Sequence, residues 1–308
     1  MNRNLRAFQI VVGLALIGAL ALLPKLAWGT FATSIPQTST VASQNTRVQT
    51  IQFQSKLVGR VLPYNVLLPV DYNQPAAKDR RYPVLYLLHG LAGHYSNWIE
   101  KTHLNDYTAG SEIIVVMPEG NNSWYTDSAT LPTEKYESYI IQELIPDVEK
   151  RFRASSERNN RAIAGLSMGG YGALKFGVKY PERFVLAASM SGALDPATWT
   201  ESELKGLEFV FRTLQPVYGE PNSETRNAND IRKLYGALTP AQIASLPFVY
   251  VDCGTEDPLV SINRSFADLL KGKKIPYEYR ELPGTHSWPY WDAQVLEVLR
   301  IANRKFGK

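Results

Sequence analysis

The stretch that decides the fold runs from Arg161 to Phe176 and reads RAIAGLSMGGYGALKF. Its first four residues, 161–164, form the short apolar run typical of a buried strand, and residues 168–179 carry Ala, Leu, Lys and Phe at helical spacing. Between the two lies Gly165-Leu166-Ser167-Met168-Gly169, which fits the pattern G-x-S-x-G. A strand, a tight turn and a helix around this pentapeptide predict a nucleophile elbow.

The elbow strains the backbone at Ser167, and the glycines before and after it remove the Cβ atoms that would clash. It raises the Ser167 hydroxyl above the end of the strand. It also directs the helix N-terminus, with its free N–H groups, towards any charge that develops there. Ser167 is therefore the candidate nucleophile. The alternative is a glycine-rich turn in which this serine has no chemical role.

The composition is that of a globular protein with a full core: 308 residues, of which 44% are hydrophobic and 20% charged. It is compatible with one large α/β domain. The single cysteine, Cys253, cannot form an internal disulfide and lies in the apolar run 248–253, so we interpret it as a core residue.

Residues 1–29 have the pattern of a secretory signal peptide. A short basic start is followed by an apolar run over residues 7–23. The small residues Ala27 and Gly29 would occupy the −3 and −1 positions of a cleavage site after Gly29. The run of about 17 residues is long enough that an uncleaved membrane anchor is the alternative. We expect a secreted or periplasmic protein, anchored in the membrane only if this segment is kept.

The charge of the chain resides mostly in that segment, which holds three of the 33 basic residues and no acid. The remainder has 30 basic against 29 acidic residues, a balance that does not favour a nucleic-acid surface. Residues 30–47 are rich in Ser, Thr, Gln and Asn and predict a flexible linker. The folded domain is expected over residues 48–308.

From residue 48 onwards, strand and helix patterns alternate. The first two strands, with Gly59 between them, predict an antiparallel pair. Strands are predicted at 48–55, 60–69, 82–88, 112–117, 161–164, 184–190, 248–253 and 277–282, and helices at 97–108, 134–152, 168–179, 259–270 and 291–306. Pro146 should kink or divide the helix 134–152. The alternation predicts an α/β fold: a mostly parallel sheet with helices on both faces and ligands beyond the carboxyl ends of its strands.

The segment of about 195–246 interrupts this alternation. It places roughly fifty residues between two strands, with helical patterns at 201–214 and 229–238. We interpret it as an excursion over the strand ends. It is either a cap that shapes the pocket or a long surface crossover.

A serine hydroxyl needs a base to take its proton, and the chain has four histidines. His286 lies in a turn beyond the last predicted strand, where a base would have to be placed to reach Ser167. His89 would instead brace a turn, and His94 and His103 would be structural or exposed. Position and chain order therefore favour His286 as the base.

The base must be held in the right tautomer by a carboxylate. Asp257 and Glu256 both lie in the loop after the strand 248–253, whereas Asp252 lies within that strand and is interpreted as buried and structural. Asp257 stands just before Pro258, which can begin the next helix, so Asp257 is preferred and Glu256 comes second. The resulting order of serine, acid and histidine is the one that α/β-hydrolases use.

Two backbone N–H groups are candidates for an oxyanion hole. Met168, at the helix N-terminus, supplies one. Leu91 is the candidate for the other, because it lies in the loop His89-Gly90-Leu91-Ala92-Gly93, where Gly90 lets the backbone approach closely. The alternative is that this loop is only a flexible turn.

Together these pieces resemble the esterase D-like branch of the α/β-hydrolase superfamily, which includes tributyrin-type esterases, S-formylglutathione hydrolases, feruloyl esterases and mycolyltransferases. The matching stretches are YPVLYLLHGLAGHYSNW (82–98), IIVVMPEGNNSWYTD (113–127), AGLSMGGYGALKFGVKYPERF (164–184), VDCGTEDPL (251–259) and ELPGTHSWPYWD (281–292). They extend over nearly the whole domain.

The resemblance implies the α/β-hydrolase fold and a set of roles that agrees with the reading of the residues themselves. The implied roles are Ser167 as nucleophile, Asp257 as acid, His286 as base, and Leu91 and Met168 as oxyanion donors. One departure is Glu119, where members of the family often carry aspartate. It lies outside the triad.

The substrate is less well defined by the sequence. The candidate substrate-binding residues are Trp98, Trp124, Tyr125 and Trp288; Tyr290 and Trp291 lie in the same loops. Aromatic side chains near the strand ends would flank an acyl group, an aromatic acid or a sugar. The alternative is that several of them only pack the loops.

The expected function is that of a secreted serine carboxylesterase acting on small acyl (acetyl or butyryl type) or feruloyl esters, either small molecules or carbohydrate esters. Export argues against a cytosolic glutathione-thioester role. One alternative is acyl transfer of the mycolyltransferase type. Another is a non-catalytic cell-surface binding module on the same fold, which would predict a missing triad member. We expect no metal, no organic cofactor and no nucleic-acid partner.

Overall fold

The structure, a computed structural model, describes residues 47–308. The predicted signal segment 1–29, and the predicted linker 30–47 except for its last residue, lie outside the described residues. The centre of the fold is an eight-stranded sheet in the order β1-β2-β4-β3-β5-β6-β7-β8. The strands are β1 (Val48–Gln54), β2 (Val61–Leu67), β3 (Val84–Leu88), β4 (Ile114–Pro118), β5 (Arg161–Leu166), β6 (Leu186–Met190), β7 (Phe248–Gly254) and β8 (Tyr277–Leu282).

The pairing of the strands confirms the predicted architecture. Strand β2 pairs antiparallel with both β1 and β4, and the other neighbours pair in parallel. The helices are α1 (Asn97–Lys101), α2 (Leu104–Tyr107), α3 (Tyr136–Ser138), α4 (Ile145–Arg151), α5 (Met168–Lys179), α6 (Glu208–Tyr218), α7 (Glu224–Asn229), α8 (Ile231–Gly236), α9 (Pro240–Ser245), α10 (Val260–Gly272) and α11 (Trp288–Lys305). None of the helices within residues 47–308 is long and apolar enough to span a membrane.

The core lies on both faces of the sheet. All five residues of β3 are buried, with Tyr86 in the core on one face and Leu85 and Leu87 in the core on the other. Helices α5 and α10 contribute to the first core, and α1, α2 and α11 contribute to the second. Strands buried on both faces explain why the sequence shows continuous apolar runs there. Because β3, β5, β7 and β8 run in parallel, the loops that follow them meet at one edge.

The predicted helix 134–152 is divided, as Pro146 led us to expect. Helix α3 passes into a π-helical segment, Tyr139–Leu144, before α4 begins with Pro146 in its first turn. Proline lacks an N–H group and its ring collides with the carbonyl group four residues earlier. A wider turn before the proline relieves this conflict.

The excursion 195–246 differs from its predicted helices. Residues 201–206 form turns instead of the start of a helix, because Gly206 has a φ of 86° and so breaks a right-handed helix. Helix α6 begins only at Glu208. The predicted helix 229–238 is α8, and α7 and α9 flank it. The predicted helix 97–108 is likewise interrupted, at Thr102, whose backbone is extended.

Candidate active site

Ser167 lies at the junction of β5 and α5 with φ 54° and ψ −116°. A non-glycine residue adopts this conformation only where its surroundings impose it. A Cβ on Gly165 would lie 2.5 Å from the backbone of Gly169, and one on Gly169 would lie 2.6 Å from the carbonyl oxygens of Leu88 and His89. The two glycines therefore let α5 pack directly against β5 and β3, and this close packing holds Ser167 in its strained turn.

Ser167, His286 and Asp257 form one chain of hydrogen bonds. The Nε2 atom of His286 lies 3.0 Å from Ser167 Oγ, and its Nδ1 atom lies 2.8 Å from Asp257 Oδ2. A carboxylate only accepts hydrogen bonds, so Nδ1 carries the proton and Nε2 is left to accept the serine hydroxyl. The buried Asp257 is itself fixed, because its Oδ1 atom accepts the N–H of Leu259 at 2.8 Å. The structure thus brings the three predicted residues together in the order that activates a serine.

The other acids near the site have different contacts. Glu256 accepts the N–H of Gly284 through Oε2 at 2.6 Å, and this bond lowers the pKa of Glu256. Glu256 therefore secures the loop that carries His286. Asp252 is buried in β7, where burial raises its pKa to about 7 and its Oδ1 atom accepts the Tyr290 hydroxyl at 2.9 Å. Its placement agrees with the predicted structural role.

The loop after β3 has two of its N–H groups already engaged. The N–H of Gly93 donates to Gly90 O at 3.1 Å, and the N–H of Ala92 donates to Asn122 Oδ1 at 2.8 Å. The N–H of Leu91 precedes both and is the remaining candidate donor among these three. At the facing helix start, the N–H of Met168 has no intrahelical partner, because the first turn of any helix leaves its N–H groups unpaired.

The remaining histidines do not join the hydrogen-bonded chain. His89 is buried, and its Nε2 atom accepts the N–H of Gly120 at 2.9 Å while Nδ1 lies 2.8 Å from Gly90 O. It braces the turn, as predicted. His94 and His103 are exposed, and Asp292, 2.7 Å from His103 Nδ1, raises the pKa of His103.

A cavity of about 480 Å³ opens beside Ser167 and His286. Its apolar walls come from four parts of the chain that the fold brings together. They include Leu91, Trp124, Trp199, Phe209, Val210, Trp288 and Trp291. The ring of Trp291 also meets the imidazole of His286 edge to face, with centroids 4.9 Å apart. An apolar cavity of this size with a few convergent polar groups is typical of a small-ligand site.

Of the four predicted substrate-binding aromatics, only Trp124 and Trp288 line this cavity. The prediction is wrong for Trp98, which is fully buried. Its ring packs beneath that of Trp288, with centroids 5.5 Å apart, and its indole N–H donates to Leu88 O at 3.2 Å. It is also wrong for Tyr125, which is fully buried and donates its hydroxyl to His89 O at 3.0 Å. Both side chains support the loops from below.

The sequence left the role of the excursion open, and the structure gives it both of the roles considered. Trp199, Phe209 and Val210 cover the catalytic cavity, so its first half is a cap. Helix α8 instead packs on the sheet-covering helices, with the Tyr235 ring 5.2 Å from that of Phe266. In the sequence, only the apolar residues of the first half indicated this arrangement.

The sequence did not indicate that the side chain of Asn122 would accept the N–H of Ala92.

A buried ion pair supports the Trp124 side of the cavity. Trp124 and Tyr125 both have positive φ, 54° and 50°. The fully buried ammonium group of Lys175 donates to Tyr125 O at 2.6 Å and lies 2.9 Å from Glu137 Oε2. Burial opposes ionisation of Glu137, but Lys175 and Lys179 together lower its pKa to about 2. Sequence reasoning missed this pair.

The fold and this arrangement of side chains are those of the serine hydrolases with an α/β-hydrolase fold. The chain belongs to the esterase family, whose model, described as "Putative esterase", matches residues 55–301. This confirms the resemblance seen in the sequence.

Among its relatives, an acetyl esterase of Caldicellulosiruptor saccharolyticus is 30% identical over 257 residues, covering 82% of this chain and 96% of the relative. A diacylglycerol acyltransferase/mycolyltransferase of Mycobacterium leprae is 26% identical over 320 residues, covering 91% of this chain and 90% of the relative. Among solved structures, a ferulic acid esterase superposes with a TM-score of 0.70 at 29% identity, over 84% of this chain and 98% of that one.

Proposed function

We propose that the protein is a secreted serine carboxylesterase that hydrolyses small acyl or feruloyl esters through an acyl-enzyme on Ser167. The observation that carries the proposal is the chain of hydrogen bonds from Ser167 through His286 to Asp257 beside an apolar cavity. A non-catalytic binding module would not need the hydroxyl, the imidazole and the carboxylate to be hydrogen-bonded to one another.

In the acylation step, Ser167 Oγ attacks the ester carbonyl carbon while His286 Nε2 takes the hydroxyl proton. The negative charge that develops on the carbonyl oxygen is stabilised by the N–H groups of Leu91 and Met168. Asp257 accepts the Nδ1–H and stabilises the imidazolium. The tetrahedral intermediate then collapses, His286 returns the proton to the leaving alcohol oxygen, and an acyl–Ser167 ester remains.

In the second step, water enters where the alcohol left. His286 removes a proton from this water, which attacks the acyl carbon and forms a second oxyanion in the same hole. Collapse breaks the bond to Ser167 Oγ, which takes its proton back from the imidazolium. The products are the carboxylic acid and the free enzyme.

The size of the cavity and the activities of the relatives both bear on the acyl preference. A volume of about 480 Å³ bounded by Trp124, Trp199 and Phe209 suits a short acyl chain or a single aromatic acid. The relatives named acetyl esterase and ferulic acid esterase support the same two classes. Secretion rests on the signal pattern of residues 1–29.

Acyl transfer to an alcohol is the second candidate, and the similarity to the Mycobacterium leprae mycolyltransferase over 90% of its length favours it. The same acyl-enzyme would serve, with an acceptor hydroxyl in place of water. Formation of a new ester in the presence of an alcohol acceptor, with little free acid, would distinguish transfer from hydrolysis.

The test uses the Ser167→Ala variant and a panel of p-nitrophenyl acetate, butyrate and octanoate together with methyl ferulate. Loss of the hydroxyl should lower kcat by about 10⁶-fold on every ester, as the loss of such a nucleophile does in serine proteases. An unchanged melting temperature serves as the control for folding. Retained turnover would remove Ser167 from its proposed role.

A further inference from the structure

The loop that carries His286 turns at Gly284, and two neighbours hold this glycine in place. Its φ of 147° is a conformation that favours glycine. At the end of β7, a Cβ on Gly254 would collide with Gly284 O, and this oxygen accepts the N–H of Glu256 at 3.0 Å. A Cβ on Gly284 itself would lie 2.5 Å from Cδ2 of Tyr290. The loop of the base is therefore packed against both β7 and the Tyr290 ring.

Tyr290 is itself fixed through its hydroxyl group. The hydroxyl donates to Asp252 Oδ1 at 2.9 Å, and both side chains are buried. Asp252 lies within β7, the strand whose following loop carries Asp257. Since the ring of the same tyrosine rests on Gly284, one side chain connects the strand that positions the acid to the loop that carries the base.

The next residue of the same helix contacts the base directly. The ring of Trp291 meets the imidazole of His286 edge to face, with centroids 4.9 Å apart. Tyr290 and Trp291 both belong to the first turn of α11, so the helix backbone couples their positions. A displacement of Tyr290 would therefore move both supports of the imidazole, the ring beside it and the loop that carries it.

Burial makes Asp252 an unfavourable residue at this place unless it has a partner. Burial disfavours its charged form and raises its pKa to about 7. Buried acids are rare unless they are paired, and a hydrogen bond to a carboxylate is stronger than one between neutral groups. The titratable and charged groups that face it are Tyr290, Tyr250, Arg280 and Asp257. Of these, Tyr290 is the one that links Asp252 to the loop of the base.

We propose that Asp252 and Tyr290 are positioning residues: their hydrogen bond keeps the imidazole of the base within reach of the serine hydroxyl. The inference rests on the proposed esterase function, because it assigns the bond a part in the activation of Ser167. Neither side chain lines the catalytic cavity. Both therefore act through the loop backbone and through Trp291, without contact with the ester.

The experiment separates this hydrogen bond from the charge of Asp252. Tyr290→Phe keeps the ring on Gly284 and removes the hydroxyl, and Asp252→Ala removes the acceptor. Asp252→Asn has no charge but keeps an oxygen that can accept the hydroxyl, so it is the conservative variant that should restore function. The matched control is Tyr64→Phe. It removes a hydroxyl that donates to Asp147 Oδ2 at 2.6 Å, between β2 and α4.

We expect kcat for p-nitrophenyl acetate to fall about tenfold in Tyr290→Phe and in Asp252→Ala, with KM unchanged. This loss is smaller than the loss of about 10²-fold that a misplacement of about 1 Å causes. Asp252→Asn and the control should keep the wild-type kcat. If Asp252→Ala does not fold, the comparison of Tyr290→Phe with Asp252→Asn is sufficient.

The pH profile distinguishes positioning from a role in stability alone. The acid limb of kcat/KM, where the base of the free enzyme becomes protonated, should move to lower pH in Tyr290→Phe. A loosened imidazolium is stabilised less by the carboxylate of Asp257. A lower melting temperature with kcat and the acid limb unchanged overturns the proposal. Equal losses of kcat in Asp252→Asn and Asp252→Ala, with none in Tyr290→Phe, also overturn it, because the charge would then act and not the bond.

The proton on His286 Nδ1 provides a measurement that needs no substrate. Its ¹H NMR resonance should broaden in Tyr290→Phe, because opening of the hydrogen bond to Asp257 lets the proton exchange with water, and should stay sharp in Asp252→Asn. An unchanged resonance in Tyr290→Phe overturns the proposal. If the wild type hydrolyses no ester while the resonance responds as expected, the esterase function fails and the positioning of the imidazole stands.

Discussion

The Nδ1 atom of His286 lies 2.8 Å from the Oδ2 atom of Asp257. Glu256, the residue before Asp257 in the chain, accepts the N–H of Gly284 and does not contact this imidazole nitrogen. We expect Asp257→Asn to lower kcat for p-nitrophenyl acetate by about 10⁴-fold, because an amide in this place favours the wrong imidazole tautomer. Glu256→Gln is the matched control. It can still accept the Gly284 N–H and should keep most of the activity. Similar losses in both variants would contradict the assignment.

Asn122 is expected to act on catalysis through the backbone. Its Oδ1 atom accepts the Ala92 N–H at 2.8 Å, and without it the loop that carries the Leu91 N–H is free to shift. Asn122→Ala should lower kcat for p-nitrophenyl acetate by about tenfold, less than the 10²–10³-fold that loss of an oxyanion donor costs, with little change in KM. Asn227→Ala, in the exposed part of α7, is the control. A change confined to KM would argue against the positioning role.

Phe209 is expected to limit the length of the acyl group. It is half-buried in the cap and lines the catalytic cavity. Phe209→Ala removes a ring from the wall, so the ratio of kcat/KM for p-nitrophenyl octanoate to that for the acetate should rise about tenfold, or about 1.4 kcal/mol. The control is Phe211→Ala in the same helix, which does not line the cavity. If both variants change the ratio equally, the wall is not formed by Phe209.

The parts of the site that the sequence predicted are those with a local physical signature. The turn at Ser167 needs glycines at positions 165 and 169, because a Cβ on either would meet backbone atoms at 2.5 or 2.6 Å. The positions of Asp257 and His286 follow from parallel strands, whose carboxyl ends share an edge. Each strand and turn involved has a pattern that a few neighbouring residues define.

The parts that it did not predict depend on contacts between distant segments. Trp98 lies in the short helix α1 and Tyr125 in a loop, both near the strand ends, but their rings are buried in the core beneath. A lysine is almost never fully buried unless it is paired, and nothing in the sequence places Lys175 against Glu137. Polar residues in loops leave no periodic pattern, and so Asn122 could not be recognised either.

The buried pair of Glu137 and Lys175 should make the protein sensitive to acid. The pKa of Glu137 is lowered from 4.5 to about 2, so between these pH values the folded state binds fewer protons than the unfolded chain. The pair's contribution to the free energy of unfolding is then fully present above pH 4.5 and is lost as the pH falls towards 2. Glu137→Gln leaves the Lys175 ammonium group buried without its carboxylate.

At pH 7 this variant should unfold with a free energy about 3–5 kcal/mol below that of the wild type, the usual result of removing one partner of a buried pair. The gap should narrow between pH 4.5 and pH 2, because the wild type loses its own ion pair there while the variant has none to lose. Urea titrations at pH 7, 4.5 and 3 measure the difference in unfolding free energy between the variant and the wild type. The control is Glu182→Gln, which removes the acid of an exposed ion pair. A gap of constant size over this range would show that the carboxylate of Glu137 does not titrate with folding. The pair would then stabilise the loop of Trp124 and Tyr125 through packing alone.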